Sequence, residues 1–392
     1  MILRFLTSGE SHGPGLNAIV EGVPAGINID NDFINKELER RQAGYGRGGR
    51  MSIEKDKAEI LSGVRFSKSI GSPISLFIKN KDWENWTIPM SVQEVEKNEE
   101  NNEVIESKKI TKLRPGHADF AGSIKYNHKD IRNILERSSA RETTTRVAVG
   151  AIAKSILKEF DINGFSVVTQ IGEAKAEQIN YSGLDIEKIE KSEVRCHDEN
   201  ASILMKKAID EAKENGDTLG GSFEVIFRNL PIGLGSHVHW DKKLDGLLAQ
   251  AIMSIPAVKS VEFGLGREVA STPGSKTHDE IFYDNGKYYR KTNNAGGIEG
   301  GMTNGEDLVI KVAMKAIPTM KKPLQSVCMD SHEAYEAHFE RSDTCAVPAC
   351  AVVAESMAAI ILADALMNKF GQDNLEQMKQ NFKTYENMVA ER

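Results

Sequence analysis

Met1-Ile2-Leu3-Arg4-Phe5-Leu6-Thr7-Ser8-Gly9-Glu10-Ser11-His12-Gly13-Pro14-Gly15-Leu16-Asn17-Ala18-Ile19-Val20-Glu21 is the stretch on which the fold turns. Its centre, Gly9 to Gly13, spells G-x-S-x-G, the nucleophile elbow of serine hydrolases, which requires a strand before the serine and a helix after it. Met1 to Thr7 reads as a short strand. The residues after Gly13 lack the apolar spacing of a helix and read as a second strand. The segment is therefore predicted to be a β-turn-β corner, which disfavours Ser11 as a nucleophile. What remains is a tight turn presenting His12, a side chain able to exchange protons near neutral pH.

The rest of the chain suits an α+β protein better than a regular βαβ series. Its 392 residues show no break in composition that would divide them, so residues 1–392 are expected to form a single domain. The N-terminus has neither the basic stretch nor the apolar core of a secretory signal, and a cytoplasmic location is expected. Cys196, Cys328, Cys345 and Cys350 are too scattered for a disulfide framework or a paired zinc motif. A net charge of −7 argues against a general nucleic-acid binder. Yet Arg40, Arg41, Arg47 and Arg50 are bunched, as are Arg132, Arg137, Arg141 and Arg146. Forked, permanently charged donors clustered in an acidic protein point to a small polyanion held in a pocket.

Asp30 opens a helix through Leu38 and Arg41, ended by the glycine-rich run Ala43 to Arg50. Residues 60–64 and 74–78 read as strands, and 94–109 as an exposed, mobile polar insertion. Ser139 and Glu142 have capping-box spacing at the start of a helix expected to run to Phe160. Further helices are expected over 202–215 and 241–253, with strands near 223–227, 258–263 and 308–314. From Pro348 to Gly371 runs an Ala-rich helix apolar on nearly every side. Glu355 and Asp364 within it argue for a buried central or interface helix, not a membrane span. A polar tail begins at about Asp373.

Several segments carry candidate chemistry. At Arg137-Ser138-Ser139-Ala140-Arg141, a helix start, two hydroxyls and two guanidiniums would converge as a phosphate or carboxylate site. His117 lies in a Pro-Gly turn and is a second proton donor candidate. Asp343 either caps the final helix or serves a site. Lys315 to Thr319 is an irregular stretch with a cation, and Asn294 to Gly301 a glycine-rich loop able to cradle phosphate or flavin. His237-Val238-His239 places two histidines on one strand face without a third ligand, so no metal site is expected. Two other readings stay open on residues alone: a hydrolase acting through Ser11, and an RNA-binding module at Tyr45-Gly46-Arg47-Gly48-Gly49-Arg50.

Taken in order, the motifs resemble the chorismate synthase family. The resemblance rests on Gly9 to Gly13, Arg40-Arg41-Gln42 through Arg50-Met51, Arg114-Pro115-Gly116-His117-Ala118-Asp119, Glu136 to Thr143, Gly296 to Gly301, and Arg341-Ser342-Asp343. It implies a lyase that makes chorismate from 5-enolpyruvylshikimate 3-phosphate by a 1,4-anti elimination, the last common step of the shikimate pathway. It also implies reduced FMN as cofactor without net redox change, NADPH entering only through flavin reduction by an external reductase. The implied fold is a single-domain β-α-β sandwich, antiparallel sheets around a helical layer, assembled as a homotetramer. By the same resemblance His12, His117 and Asp343 manage protons, and Arg41, Arg47, Arg114 and Arg141 clamp the substrate. Arg137, Ser138, Ser139, Pro256, Ala257, Gly300, Lys315, Ala316, Ile317, Pro318, Thr319 and Arg341 line the flavin. Arg41 and Arg47, which the family pattern also associates with cofactor binding through NADP, are read chiefly as substrate ligands. Ala316 departs from an expected proline, and Pro256 from an expected asparagine. The 94–109 segment is longer than the family core needs and is given no catalytic role.

Overall fold

The computed structural model describes residues 2–48, 55–284, 286–337 and 342–392. Arg50, Met51 and Arg341, all named above, lie outside them.

Two antiparallel sheets enclose a layer of helices. The first comprises β1 (Arg4–Ser8), β2 (Gly15–Glu21), β3 (Ala58–Ile60) and β4 (Ile74–Lys79), in the order β1-β2-β4-β3. The second comprises β5 (Asn163–Ile171), β6 (Ala174–Lys175), β7 (Gly221–Arg228), β8 (Val258–Phe263) and β9 (Leu308–Met314), in the order β8-β9-β7-β5-β6. Between them lie α1 (Asn31–Gln42), α5 (Thr143–Lys158), α7 (Leu244–Met253) and α8 (Val347–Phe370). Outside this layer are α2 (Glu99–Lys108), α3 (Asp119–Tyr126), α4 (Arg132–Ser138), α6 (Glu199–Glu214) and α9 (Leu375–Ala390). The expected sandwich of antiparallel sheets around helices is thus the observed architecture.

Alternation explains the first sheet. Leu16, Ala18 and Val20 of β2 and Ile74, Leu76 and Ile78 of β4 point inward, while Ile19 and Lys79 face out. Strand β7 is buried on both faces, Phe223 to Phe227 without interruption, because a smaller cluster built on Ile179 and Ile189 covers the outer side of Phe165, Ile226 and Val309.

Helix α8 is buried at every position except Asn368 and Lys369. Among the described residues it is the one helix long and apolar enough to cross a membrane, and its apolar stretch is enclosed by protein. It is the buried central helix that its composition predicts, and Gly371 ends it. Glu355 within it meets Arg40 of α1 at 2.9 Å and Lys154 of α5 at 2.5 Å.

Three expectations need correction, and the polar tail takes a form that its composition leaves open. Residues 94–109 are not wholly irregular: Asn98 caps α2 by accepting the Asn101 N–H, and the helix is exposed on one side, with Asn101, Val104, Ile105 and Lys108 half-buried on the other. The polar tail is also helical, because α9 packs Phe382 and Tyr385 on Phe370. His237 to His239 lies in a bend before a short 3-10 turn at Trp240, so its two histidines share no strand face. Finally, the helix expected from Ser139 to Phe160 is α-helical only over Thr143–Lys158 and opens on a 3-10 turn. Ser139 is extended between α4 and a 3-10 turn, Ala140–Glu142, that leads into α5. Its hydroxyl accepts the Arg141 N–H at 3.3 Å, while Glu142 turns to Arg146, so no reciprocal capping box forms. This opening lets Arg141 turn inward to a carboxylate, a tertiary pull that local spacing does not record.

Candidate active site

The β1–β2 turn is the starting point. Gly9 sits at φ +103°, and a Cβ there would lie 2.4 Å from the Gly15 carbonyl oxygen, so the corner requires glycine. The element after Gly13 is β2 and not a helix, and Ser11 is 2 % exposed. The elbow reading fails on both counts. His12 instead turns toward α4: its backbone N–H donates to Glu136 Oε2 at 2.8 Å, and its Nδ1 lies 2.9 Å from Oε1. The Trp86 ring stacks on the imidazole at 4.0 Å.

Asn80 ties this turn to the arginines. Its Nδ2 donates to the Glu10 and Gly13 carbonyls at 3.1 and 2.7 Å. Its Oδ1 accepts Arg141 Nε and Nη2 at 3.1 and 2.9 Å. Arg141 Nη1 donates to both oxygens of buried Asp56 at 2.6 Å. Arg41, projecting from the last turn of α1, donates to the Thr143 hydroxyl at 3.0 Å and the Ala140 carbonyl at 2.9 Å. Arg47 pairs with Asp343 at 3.2 Å, and the Gly48 N–H donates to Asp343 Oδ1 at 2.6 Å. Asp343 therefore does not cap α8, whose start lacks a side-chain cap.

The balance of charge is the main physical fact about this cluster. Among the described residues, three guanidiniums, Arg41, Arg47 and Arg141, face two carboxylates, Asp56 and Asp343. Burial, then repulsion from Arg47 and Arg141, pull the Arg41 guanidinium down to about 10 against the opposing pull of Asp56 and Asp343. Arg47 Nε is buried and has no hydrogen-bond partner among the described residues. A buried excess of cation with an unsatisfied donor is relieved by an anion.

A second cluster adjoins the first. Arg114 forms a bidentate pair with Asp119, at 2.8 and 2.9 Å. His117 Nδ1 faces the Pro115 carbonyl at 3.1 Å, and its Nε2 lies 3.0 Å from the Thr319 hydroxyl. Lys315 Nζ donates to the Gly116 carbonyl at 2.8 Å. Arg114, His117, Pro318 and Thr319 line one small cavity. Burial first, then Arg114 and Lys315, hold His117 below the usual imidazole range, with the Pro115 carbonyl and Asp119 acting in the opposite sense. The Ser342 hydroxyl donates to the Thr319 carbonyl at 2.8 Å, so Ser342-Asp343 joins the two clusters. Ala257, held at φ +71°, accepts the Lys315 N–H at 2.9 Å, bringing Pro256-Ala257 and Lys315 to Thr319 together.

Three predicted groupings are not formed. Arg137 and Arg141 do not share a target: exposed Arg137 holds the Thr7 and Gly9 carbonyls, while Arg141 points to Asp56. The Asn294–Gly297 segment is not a cradle. The Asn294 and Ala295 N–H groups go to Asp279 and the Gly297 N–H to Asn293, and Gly296 packs against the Gly264 backbone. The Arg/Gly segment, over its described residues 45–48, is also absorbed into the fold, because the Tyr45 hydroxyl binds Asp210 and the Arg47 side chain is only 10 % exposed.

Asp56, Asn80, Trp86, Arg132 and Glu136 were not predicted as site residues. Glu136 at least lies inside a quoted motif, and Arg132, one helical turn before it, in the second bunch of arginines; Asp56, Asn80 and Trp86 are joined to the site only through long-range contacts.

Fold and geometry together define an enzyme site for a small polyanion, and comparison with known proteins gives the narrower class. The sequence profile described as Chorismate synthase matches residues 3–367. Chorismate synthase of Geotalea daltonii is 55 % identical, with 98 % of each chain covered. That of Aquifex aeolicus is 53 % identical over 99 % of this chain and 98 % of its own. A crystal structure of chorismate synthase superposes with a TM-score of 0.80 at 45 % identity, covering 100 % of this chain and 99 % of the other. The protein is a lyase. More narrowly, the chain belongs to the chorismate synthase family.

Proposed function

We propose that the chain eliminates phosphate from 5-enolpyruvylshikimate 3-phosphate to give chorismate, the shikimate-pathway reaction of its family, with reduced FMN as cofactor. The observation that carries this reading at the level of residues is the buried excess of guanidinium at Arg41, Arg47 and Arg141. A substrate bearing one phosphate and two carboxylates supplies the missing negative charge, and forked guanidiniums match all three groups. Arg114 completes the clamp beside His117.

The same excess of donors fits a phosphate-bearing cofactor. Pro256-Ala257 and Lys315 to Thr319 would hold the flavin, with Arg137, Ser138, Ser139, Gly300 and Arg341 as further contacts. Reduced FMN, when bound, supplies transient electron density that lets phosphate leave the ring. The protein positions the reactants, stabilises charge and moves protons. With Nδ1 engaged by Glu136, His12 exchanges its proton through Nε2. His117 is held toward its neutral form while Arg114 and Lys315 stand beside it. A phosphate dianion in that cavity offsets both cations, so His117 takes up a proton as substrate arrives and delivers it to the leaving phosphate. Asp343, fixed by Gly48 and Arg47, is the proton acceptor. None of these residues requires NADPH, which acts indirectly through an external flavin reductase. The chain works as one domain, in a cytoplasmic homotetramer.

Anaerobic turnover of 5-enolpyruvylshikimate 3-phosphate tests the reading. Chorismate and phosphate should form in equal amounts with reduced FMN, leaving the flavin reduced, and not at all without flavin. Product formation in the absence of flavin would overturn it.

A further inference from the structure

The surroundings of His12 have more structure than a proton-exchanging side chain on a turn needs. Glu136 is 2 % exposed, and one of its oxygens, Oε1, receives both His12 Nδ1 and Arg132 Nη1, each at 2.9 Å. Its other oxygen accepts the His12 backbone N–H, so the carboxylate grips main chain and ring at once. Trp86, 9 % exposed, covers the imidazole face at 4.0 Å with an interplanar angle of 29°. Arg132 and Lys108 lie 4.8 and 4.9 Å from a Trp86 ring centroid. Arg132 Nε also donates to the Lys108 carbonyl at 2.5 Å, which fastens the end of α2 to this group. Among the described residues, the charged groups around His12 are Glu136 and Arg132 from α4, Lys108 from α2, and Glu10 on its own turn.

We propose that Glu136 is the positioning residue of His12: its carboxylate fixes the proton on Nδ1 and supports the imidazolium, Arg132 limits that support by sharing the same oxygen, and Trp86 sets the ring plane. The chemistry is that of a carboxylate orienting a working histidine. Burial alone would push Glu136 up, but its bonds from His12 and Arg132 bring it below the usual carboxylate range, so its charge is available throughout the physiological range. Arg132 thus has two opposed effects. It keeps Glu136 ionised, and it repels a second positive charge on His12. The helical segment 99–108 acquires a role through the same contacts, because its last turn buttresses Arg132 and Trp86.

This inference rests on His12 acting in proton exchange, and it is tested without relying on turnover. In histidine-labelled, ligand-free protein, the NMR titration midpoint of His12 should fall by about one pH unit or more in Glu136→Gln, since an opposing charge in contact is lost. It should rise by about half a unit in Arg132→Gln, since a like charge is lost. Glu136→Asp, which keeps the charge, should restore most of the wild-type midpoint. In the anaerobic assay, the pH-rate limb of Glu136→Gln should move in the same direction as its NMR midpoint, with kcat reduced about tenfold and the substrate KM little changed. Opposite shifts in two variants on one helix are not the result of general loosening. Midpoints that stay put, or move in the same direction in both variants, would overturn the proposal. Absence of turnover in the wild type would instead count against the proposed function and leave the titration result standing.

Discussion

Arg40 and Arg41 are consecutive on α1, yet they enter two different electrostatic environments. Arg40 turns into the helical layer, where three cations (Arg40, Lys154, Arg195) meet three carboxylates (Glu37, Glu190, Glu355). Its guanidinium is held well above the ordinary range: burial pulls it down, and Glu355 and Glu37 more than compensate. Arg41 turns the other way, into three guanidiniums against two carboxylates, and is pulled down. Both places are buried and rich in hydrogen bonds, and each contains an arginine Nε without a partner, at Arg195 and at Arg47. An orphaned donor alone therefore does not mark a site. Charge balance separates the network that completes itself from the cluster that needs a ligand.

The sharpest break in that contrast is Glu355→Gln. It leaves Arg40 and Lys154 facing one carboxylate fewer in the middle of the protein, and unfolding stability should fall by about 3 kcal/mol or more, read from denaturant midpoints. The residual folded enzyme should keep its substrate KM.

Arg41→Met should do the reverse. Loss of a guanidinium from the substrate clamp should lower kcat/KM by about a hundredfold or more. Thermal stability in the absence of ligand should hold or rise, because a repelled buried cation is removed and the Ala140 carbonyl retains the Thr143 hydroxyl.

Asn80→Ala tests the joint between turn and clamp. The buried Gly13 carbonyl and part of Arg141 lose their partner while the Glu10 carbonyl keeps only the Gly13 N–H, and about tenfold in kcat/KM should go with them. Stability should fall by about 1–2 kcal/mol.

Acid provides the gentlest test. Burial would raise Glu190, but hydrogen bonds from Arg195 and Arg40 bring it down to about 2 from an ordinary 4.5. A carboxylate with a depressed folded pKa contributes stability above its unfolded value and loses it as pH falls through the folded one. The difference in urea midpoint between wild type and Glu190→Gln should be complete above about 4.5 and vanish near 2.

Local pattern carried much of this molecule. The β1–β2 corner, α1, the inward faces of β2 and β4 and the enclosed helix α8 all follow from apolar spacing and glycine placement. The glycine-rich and arginine-rich segments marked His12, His117, the Arg41 cluster and Asp343 through their family motifs. What local pattern could not carry was partnership. Asn80 reaches the turn 67 and 70 residues earlier, and Glu136 holds a histidine 124 residues away. The capping-box spacing at Ser139 was locally sound and lost to Arg141 being drawn to Asp56. The helix over 99–108 is hard to read from composition because its apolar face is only Val104 and Ile105, and the partner of its last turn, Trp86 beside Lys108, is supplied by the fold. The visible clue nearby is the pair Trp83 and Trp86, two of the chain's three tryptophans, just before the polar stretch.

The central claim is that the cation-rich cluster around Arg41, and not the balanced one around Arg40, binds the substrate. Equilibrium binding of 5-enolpyruvylshikimate 3-phosphate, measured with FMN present on wild type and Arg41→Met, tests it directly. The account predicts that Arg41→Met binds about a hundredfold or more weakly while its melting temperature is undiminished. Equal Kd values for Arg41→Met and wild type would contradict it.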